Sequence, residues 1–64
     1  MERTLSLVQE RVLLYKHLTG NFPARQMATI SALMRHGMLE AVDRHYVVSA
    51  KGQAYCDAYR AEIP

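Results

Sequence analysis

The sequence has one cysteine, Cys56, no tryptophan and a single phenylalanine, Phe22. A lone cysteine excludes an internal disulfide, and nothing points to an oxidising compartment. With so few large aromatics, tyrosines and the four methionines share the packing with aliphatic residues, which gives an adaptable interior. Long apolar runs are missing as well. The longest near the N-terminus, Val12-Leu13-Leu14-Tyr15, lies between Arg11 and Lys16 and is far too short to span a membrane. Met1-Glu2-Arg3-Thr4 does not read as the start of a signal peptide, so a cytoplasmic location is expected. Metal-site spacing is also lacking. His17, His36 and His45 are nineteen and nine residues apart, and no Cys or His pair has ligand spacing. There is no glycine-rich phosphate loop and no Ser, His and acid arrangement. The expectation is therefore no enzyme, no cofactor, no metal and no small-molecule substrate.

What is present is one short chain of 64 residues, half of them apolar. That excludes a disordered tail and leaves room for one domain over residues 1–64, near the lower size at which a single core sustains itself. The net charge is only +2, but its distribution is uneven. No acid occurs from Arg11 to Leu39, whereas Arg11, Lys16, Arg25 and Arg35 fall inside that span. A basic middle between balanced flanks favours an anionic partner.

Ser6-Leu7-Val8-Gln9 fits a capping box, so a first helix is expected from Leu7 to Thr19, ended by Gly20. At about 100° per residue, Leu5, Val8, Val12 and Tyr15 line one stripe and Leu7, Leu14 and Leu18 another. Ser6, Gln9, Glu10, Leu13, Lys16 and His17 share the remaining arc. So wide an apolar surface needs cover on more than one side. Leu7, Leu14 and Leu18 are expected either to form a homodimer contact or to lie under the C-terminal helix.

Phe22-Pro23 opens the next element, since proline suits a first helical turn. Residues 23–36 read either as one helix from Pro23 to His36, the favoured reading, or as a turn followed by a helix capped by Thr29. On one helix, Met27, Ile30, Met34 and Met38 form the expected inward stripe, with Leu33 beside it. The outward face then carries Arg25, Thr29, Ala32 and His36, with Gln26, Ala28 and Arg35 on its shoulders. Arginine can pair with guanine, glutamine with adenine, and threonine or alanine can touch the thymine methyl.

Gly37 stops the second helix. Leu39–Val42 and His45–Val48 are expected to pair across a turn at Asp43-Arg44-His45, with Leu39, Tyr46 and Val48 facing inward. Ser49 is the N-cap of a last helix that packs through Ala54, Tyr55, Ala58 and Tyr59. Lys51 stands in the first turn of that helix, where a cation gains nothing from the helix dipole, which makes it a candidate for an external anion.

The phrase Gly37-Met38-Leu39, then Tyr46-Val47-Val48-Ser49, then Lys51-Gly52 resembles the wing segment of the winged helix-turn-helix superfamily. The resemblance covers Gly37–Gly52 and the helices beside it. It implies a mainly α, compact winged-helix-like domain of helix, helix, two-stranded wing and helix, with Arg44 at the wing tip touching phosphates or a minor groove. One departure is plain. Only sixteen positions separate Gly20 from Gly37, whereas two helices and their turn need about 20. The positioning helix is shortened or absent.

The expected function is a small DNA-binding regulator of prokaryotic or phage type. Arg25, Gln26, Thr29, Arg35 and His36 would face the groove, and Arg44 and Lys51 the backbone. The alternative is a protein-interaction module on the same frame, an inhibitor or adaptor that docks on a host protein without binding DNA.

Overall fold

Ser6 starts the first helix by a reciprocal exchange. Its hydroxyl accepts from the Gln9 backbone N–H at 3.2 Å, and the Gln9 side chain accepts from the Ser6 N–H at 3.0 Å. In this computed structural model, which describes residues 4–23 and 27–62, that helix (α1) runs Leu7–Thr19. It is followed by α2 (Met27–Arg35), β1 (Leu39–Val42), β2 (His45–Val48), α3 (Ala50–Tyr59) and a 3-10 turn at Arg60–Glu62. The chain is thus mainly helical with one two-stranded antiparallel hairpin, in a winged-helix-like order.

Both helices before the hairpin end as their glycines dictate. Gly20 takes φ +78° and donates to the Lys16 carbonyl at 2.8 Å, while Lys16 Nζ donates to the Gly20 carbonyl at 2.7 Å. Gly37 takes φ +75° and donates to Met34 O, while Met38 donates to Leu33 O. This pair of bonds is a Schellman closure, and its apolar contact partners, Leu33 and Met38, are both in the core.

Pro23 lies in a bend and not in the helix, and Thr29 is the third residue of α2 and not its cap. Residues 24–26 fall outside the described residues, so the helix is described over Met27–Arg35 and not over Pro23–His36.

The hairpin pairs Leu39 with Val48, Glu40 with Val47, Ala41 with Tyr46 and Val42 with His45. Its loop is two residues, Asp43 and Arg44, at φ +49° and +67°. Positive φ at both centres is the pattern of a type I′ turn, which suits strand twist but is normally built from Asn-Gly.

The joint between α2, the hairpin and α3 turns on two small residues. Ser49 donates its hydroxyl to the Gly37 carbonyl and accepts from the Gly52 N–H at 3.0 Å, and its own N–H donates to Met38 O at 3.0 Å. Gly52 is buried against the same carbonyl. A Cβ there would stand 2.2 Å from Met38 O and 2.8 Å from Val48 Cγ1. The close approach of α3 to the residue after α2 therefore requires glycine.

Leu5, Val12, Leu13, Ile30, Leu33, Met38, Leu39, Tyr55 and Cys56 form the core, with Leu14, Phe22, Met34, Val48 and Tyr59 packed on its edge. Three faces differ from the sequence expectation. On α2 the inward side is Ile30, Ala32 and Leu33, with Thr29 half-buried on the same side, while Met27 is 58% exposed. Of the expected stripe, Ile30 and Met38 are buried and Met34 packs on the core edge, while Met27 leaves it and the centre shifts to Leu33. On α3 the packing face is Gly52, Tyr55, Cys56 and Tyr59, and Ala54 and Ala58 are exposed. On the hairpin, Leu39 and Val48 face the core, but Tyr46 is at its margin, edge-on to Phe22 at 6.3 Å between ring centroids.

The largest departure is on α1. Its buried centre is Leu13, flanked by buried Glu10 and Val12 and half-buried Gln9, Lys16 and His17. The arc that looks polar in sequence is turned inward. Leu7, Val8, Tyr15 and Leu18 are each about half exposed, at 51, 56, 45 and 54%. Polar partners explain how this is tolerated. Tyr55 Oη donates to Glu10 Oε2 at 2.7 Å and accepts from the Leu5 N–H at 3.3 Å. Lys16 Nζ lies 4.8 Å over the Phe22 ring while its proton is held by Gly20.

Candidate nucleic-acid interface

The face that α2 leaves to solvent is Met27, Ala28, Ser31 and Arg35. Ala28, Ser31 and Arg35 follow spacings of three and four, so they stack along one side of the helix. Two of the three are small, and the last carries the charge. No acid occurs anywhere in α2.

Of the residues expected to face a groove, Arg35 is exposed in the last turn and His36 is exposed just beyond it. Thr29 shares the side of fully buried Leu33 and is half-buried, so it does not belong to this face. Arg25 and Gln26 lie outside the described residues. Ser31 was not among the expected site residues. It is a donor and acceptor in the centre of the exposed face, and it comes to light only once Leu33 and not Met34 is taken as the inward centre.

Arg44 is exposed at the hairpin tip, about four residues, or roughly 13 Å, from the strand end that packs on the core. Asp43 precedes it and Glu40 is exposed on β1, so the hairpin offers one cation at its tip and not a basic surface. Lys51 is exposed, and its side chain arches back over Gly37. A Cβ on Gly37 would be 3.9 Å from Lys51 Nζ. The ammonium thus stands beside the carbonyl end of α2, where the helix dipole favours a cation. Arg35 and His36 close α2 and Lys51 Nζ lies beside the Gly37 that follows them, while Arg44 is at the tip of the hairpin.

The other sequence candidates divide differently. Leu7 and Leu18 are exposed and α3 does not cover them, while Leu14 is half-buried against the core. Cys56 is fully buried, and its thiol is pushed up from 9.0 to about 11, chiefly by burial and then by Asp57, against a lowering by Arg60. It stays protonated at neutral pH and is no nucleophile. Among the described residues, no group of three or more His, Cys, Asp or Glu is placed to hold a metal, and no helix is long and apolar enough to cross a membrane.

Comparison with protein-family models, curated proteins and solved structures finds no match to this chain.

Proposed function

We propose that this domain is a small cytoplasmic regulator of prokaryotic or phage type that binds duplex DNA, with α2 against the major groove and the hairpin tip on the backbone. The observation that carries the reading is the exposed side of α2. It has no acid, small residues at Ala28 and Ser31 where a backbone must come close, and Arg35 with Lys51 at its end. Arg35 has the fork geometry for guanine or a phosphate, and Ser31 can donate to or accept from either base or backbone. Lys51 and Arg44 act as point contacts to phosphates, which position the helix without reading sequence. The short chain before α2 leaves the helix that normally spans the backbone shortened or absent, so affinity rests on few contacts.

Arg35→Glu and Arg60→Glu change the net charge equally at two different places. Arg60 follows the last residue of α3, about 12 Å along the axis from the Gly52 joint. Fluorescence anisotropy with a labelled random-sequence duplex is expected to lose ten-fold or more in affinity for Arg35→Glu, and much less for Arg60→Glu. Equal losses would reduce the effect to net charge and remove α2 from the interface.

The second reading, a protein-interaction module on the same frame, is favoured by the exposed apolar arc of α1. It predicts that Arg35→Glu disrupts a protein complex and that duplex DNA is not bound at all.

A further inference from the structure

Away from the exposed face of α2, a groove of about 340 Å³ opens where the end of α1 meets β2 and the start of α3. Its lining is Lys16, His17 and Gly20 from α1 and its cap, Val47 and Val48 from β2, and Gln53 from α3. Neighbouring strand residues point to opposite faces, so a groove that touches both Val47 and Val48 runs along the edge of β2. Its size is at the lower end for small-ligand sites, ~300–1,000 Å³. Three polar side chains from two helices converge there beside two valines.

The polar groups are arranged to receive an anion. Lys16 Nζ is fixed by two contacts, the Gly20 carbonyl at 2.7 Å and the Phe22 ring at 4.8 Å. An ammonium has three protons, so two remain to donate. His17 is half-buried, and neither its ring nor the Gln53 amide has a hydrogen-bond partner among the described residues. The carbonyl end of a helix repels anions. Here its acceptors are engaged from within: Tyr15 O by the Thr19 hydroxyl, Lys16 O by the Gly20 N–H, and Gly20 O by Lys16 Nζ. No acid lines the groove. Asp57 is one turn beyond Gln53 on α3, so the balance of charge suits one negative charge and not two.

We infer that this groove binds a small aliphatic carboxylate, with the carboxylate on Lys16, His17 and Gln53 and the chain along Val47 and Val48. One fixed cation matches the single charge, and the two donors beside it match acceptor-only oxygens. The valines offer contact to an aliphatic chain and nothing to a bare inorganic anion. Lys16 and Gln53 are far apart in the chain, so no sequence spacing announces the site, and a small ligand was not expected from it. With so few ligand atoms the dissociation constant is on the order of millimolar.

The test is a ¹⁵N–¹H correlation titration of the full chain with pentanoate, acetate and pentan-1-ol at constant ionic strength. Pentanoate is expected to shift the amides of residues 16–20 and 47–53 and to saturate. Acetate and pentan-1-ol each lack one half of the ligand and are expected to bind ten-fold or more weakly. Gln53→Glu places a carboxylate in the groove. Gln53 is exposed, so the fold is expected to survive, and circular dichroism checks it. This variant is expected to weaken pentanoate ten-fold or more, whereas Arg60→Glu, outside the groove, leaves it unchanged. No saturation up to about 100 mM pentanoate overturns the proposal. So does equal binding of acetate, which means an adventitious ion only, equal binding of pentan-1-ol, or unchanged binding by Gln53→Glu. None of these outcomes involves DNA, so they leave the reading of α2 to its own experiment.

Discussion

At the scale of single residues, two positions carry most of the specification. Gly52 permits α3 to start against the Met38 carbonyl, and a methyl group there would meet backbone at 2.2 Å. Backbone cannot step aside as a side-chain end can. Gly52→Ala is expected to cost about 3 kcal/mol or to prevent folding. Gly20→Ala, which has positive φ but open space around it, is expected to cost about 1 kcal/mol. Thermal melts of the two variants check the contrast, and similar losses would show that conformation, not close approach, explains Gly52.

Cys56 makes a second residue-scale prediction. Its folded pKa of about 11 is above the 9.0 of an open thiol. The stability owed to its protonated, buried state is fully present below pH 9.0 and is lost as pH rises through about 11. Urea unfolding at pH 8 and pH 11 is expected to lose more stability in the wild type than in Cys56→Ala. A thiol reagent at pH 8 should label the native protein only as fast as it unfolds.

At the scale of elements, the hairpin can be separated from its charge. Asp43 and Arg44 both hold positive φ, which non-glycine residues adopt at a cost. Replacing them by Asn-Gly is expected to raise stability by about 1 kcal/mol, or roughly 4–8 °C in Tm, while weakening DNA binding through the lost tip cation. A stabilised variant that binds DNA unchanged would remove Arg44 from the interface. Element boundaries other than the start of α2 were legible in the sequence because local chemistry sets them. The Ser6–Gln9 box, the glycines at positions 20 and 37, and the Ser49 cap each act within a few residues. The faces were less legible. Which side of α1 turns inward depends on a hydrogen bond between Glu10 and Tyr55, 45 residues apart. The side of α2 depends on whether Leu33 or Met34 takes the centre, and hydrophobicity alone does not distinguish them. The candidate site inherited that rotation: Arg35, His36, Arg44 and Lys51 are exposed as expected, Thr29 turned inward, and Ser31 was overlooked.

At the scale of the whole molecule, the basic middle of the sequence resolves into two different surfaces. The half of it in α1 is largely committed within the domain or to the apolar arc. In the half around α2, Arg35 is exposed, as are Lys51 on α3 and Arg44 on the hairpin. The proposed binding surface, made from three elements by so few cations, has a definite electrostatic signature. Each phosphate contact releases condensed counterions, so affinity falls with salt in proportion to the number of contacts. The most direct measurement is the affinity for a random-sequence duplex from about 20 to 200 mM salt, in the wild type and in a variant with Arg35, Arg44 and Lys51 all changed to Gln. The account predicts a log–log slope near −3 for the wild type, about −0.9 for each of three cations, and a loss of most of that slope in the variant. No binding by the wild type at 20 mM salt, or the same slope in both proteins, would contradict it.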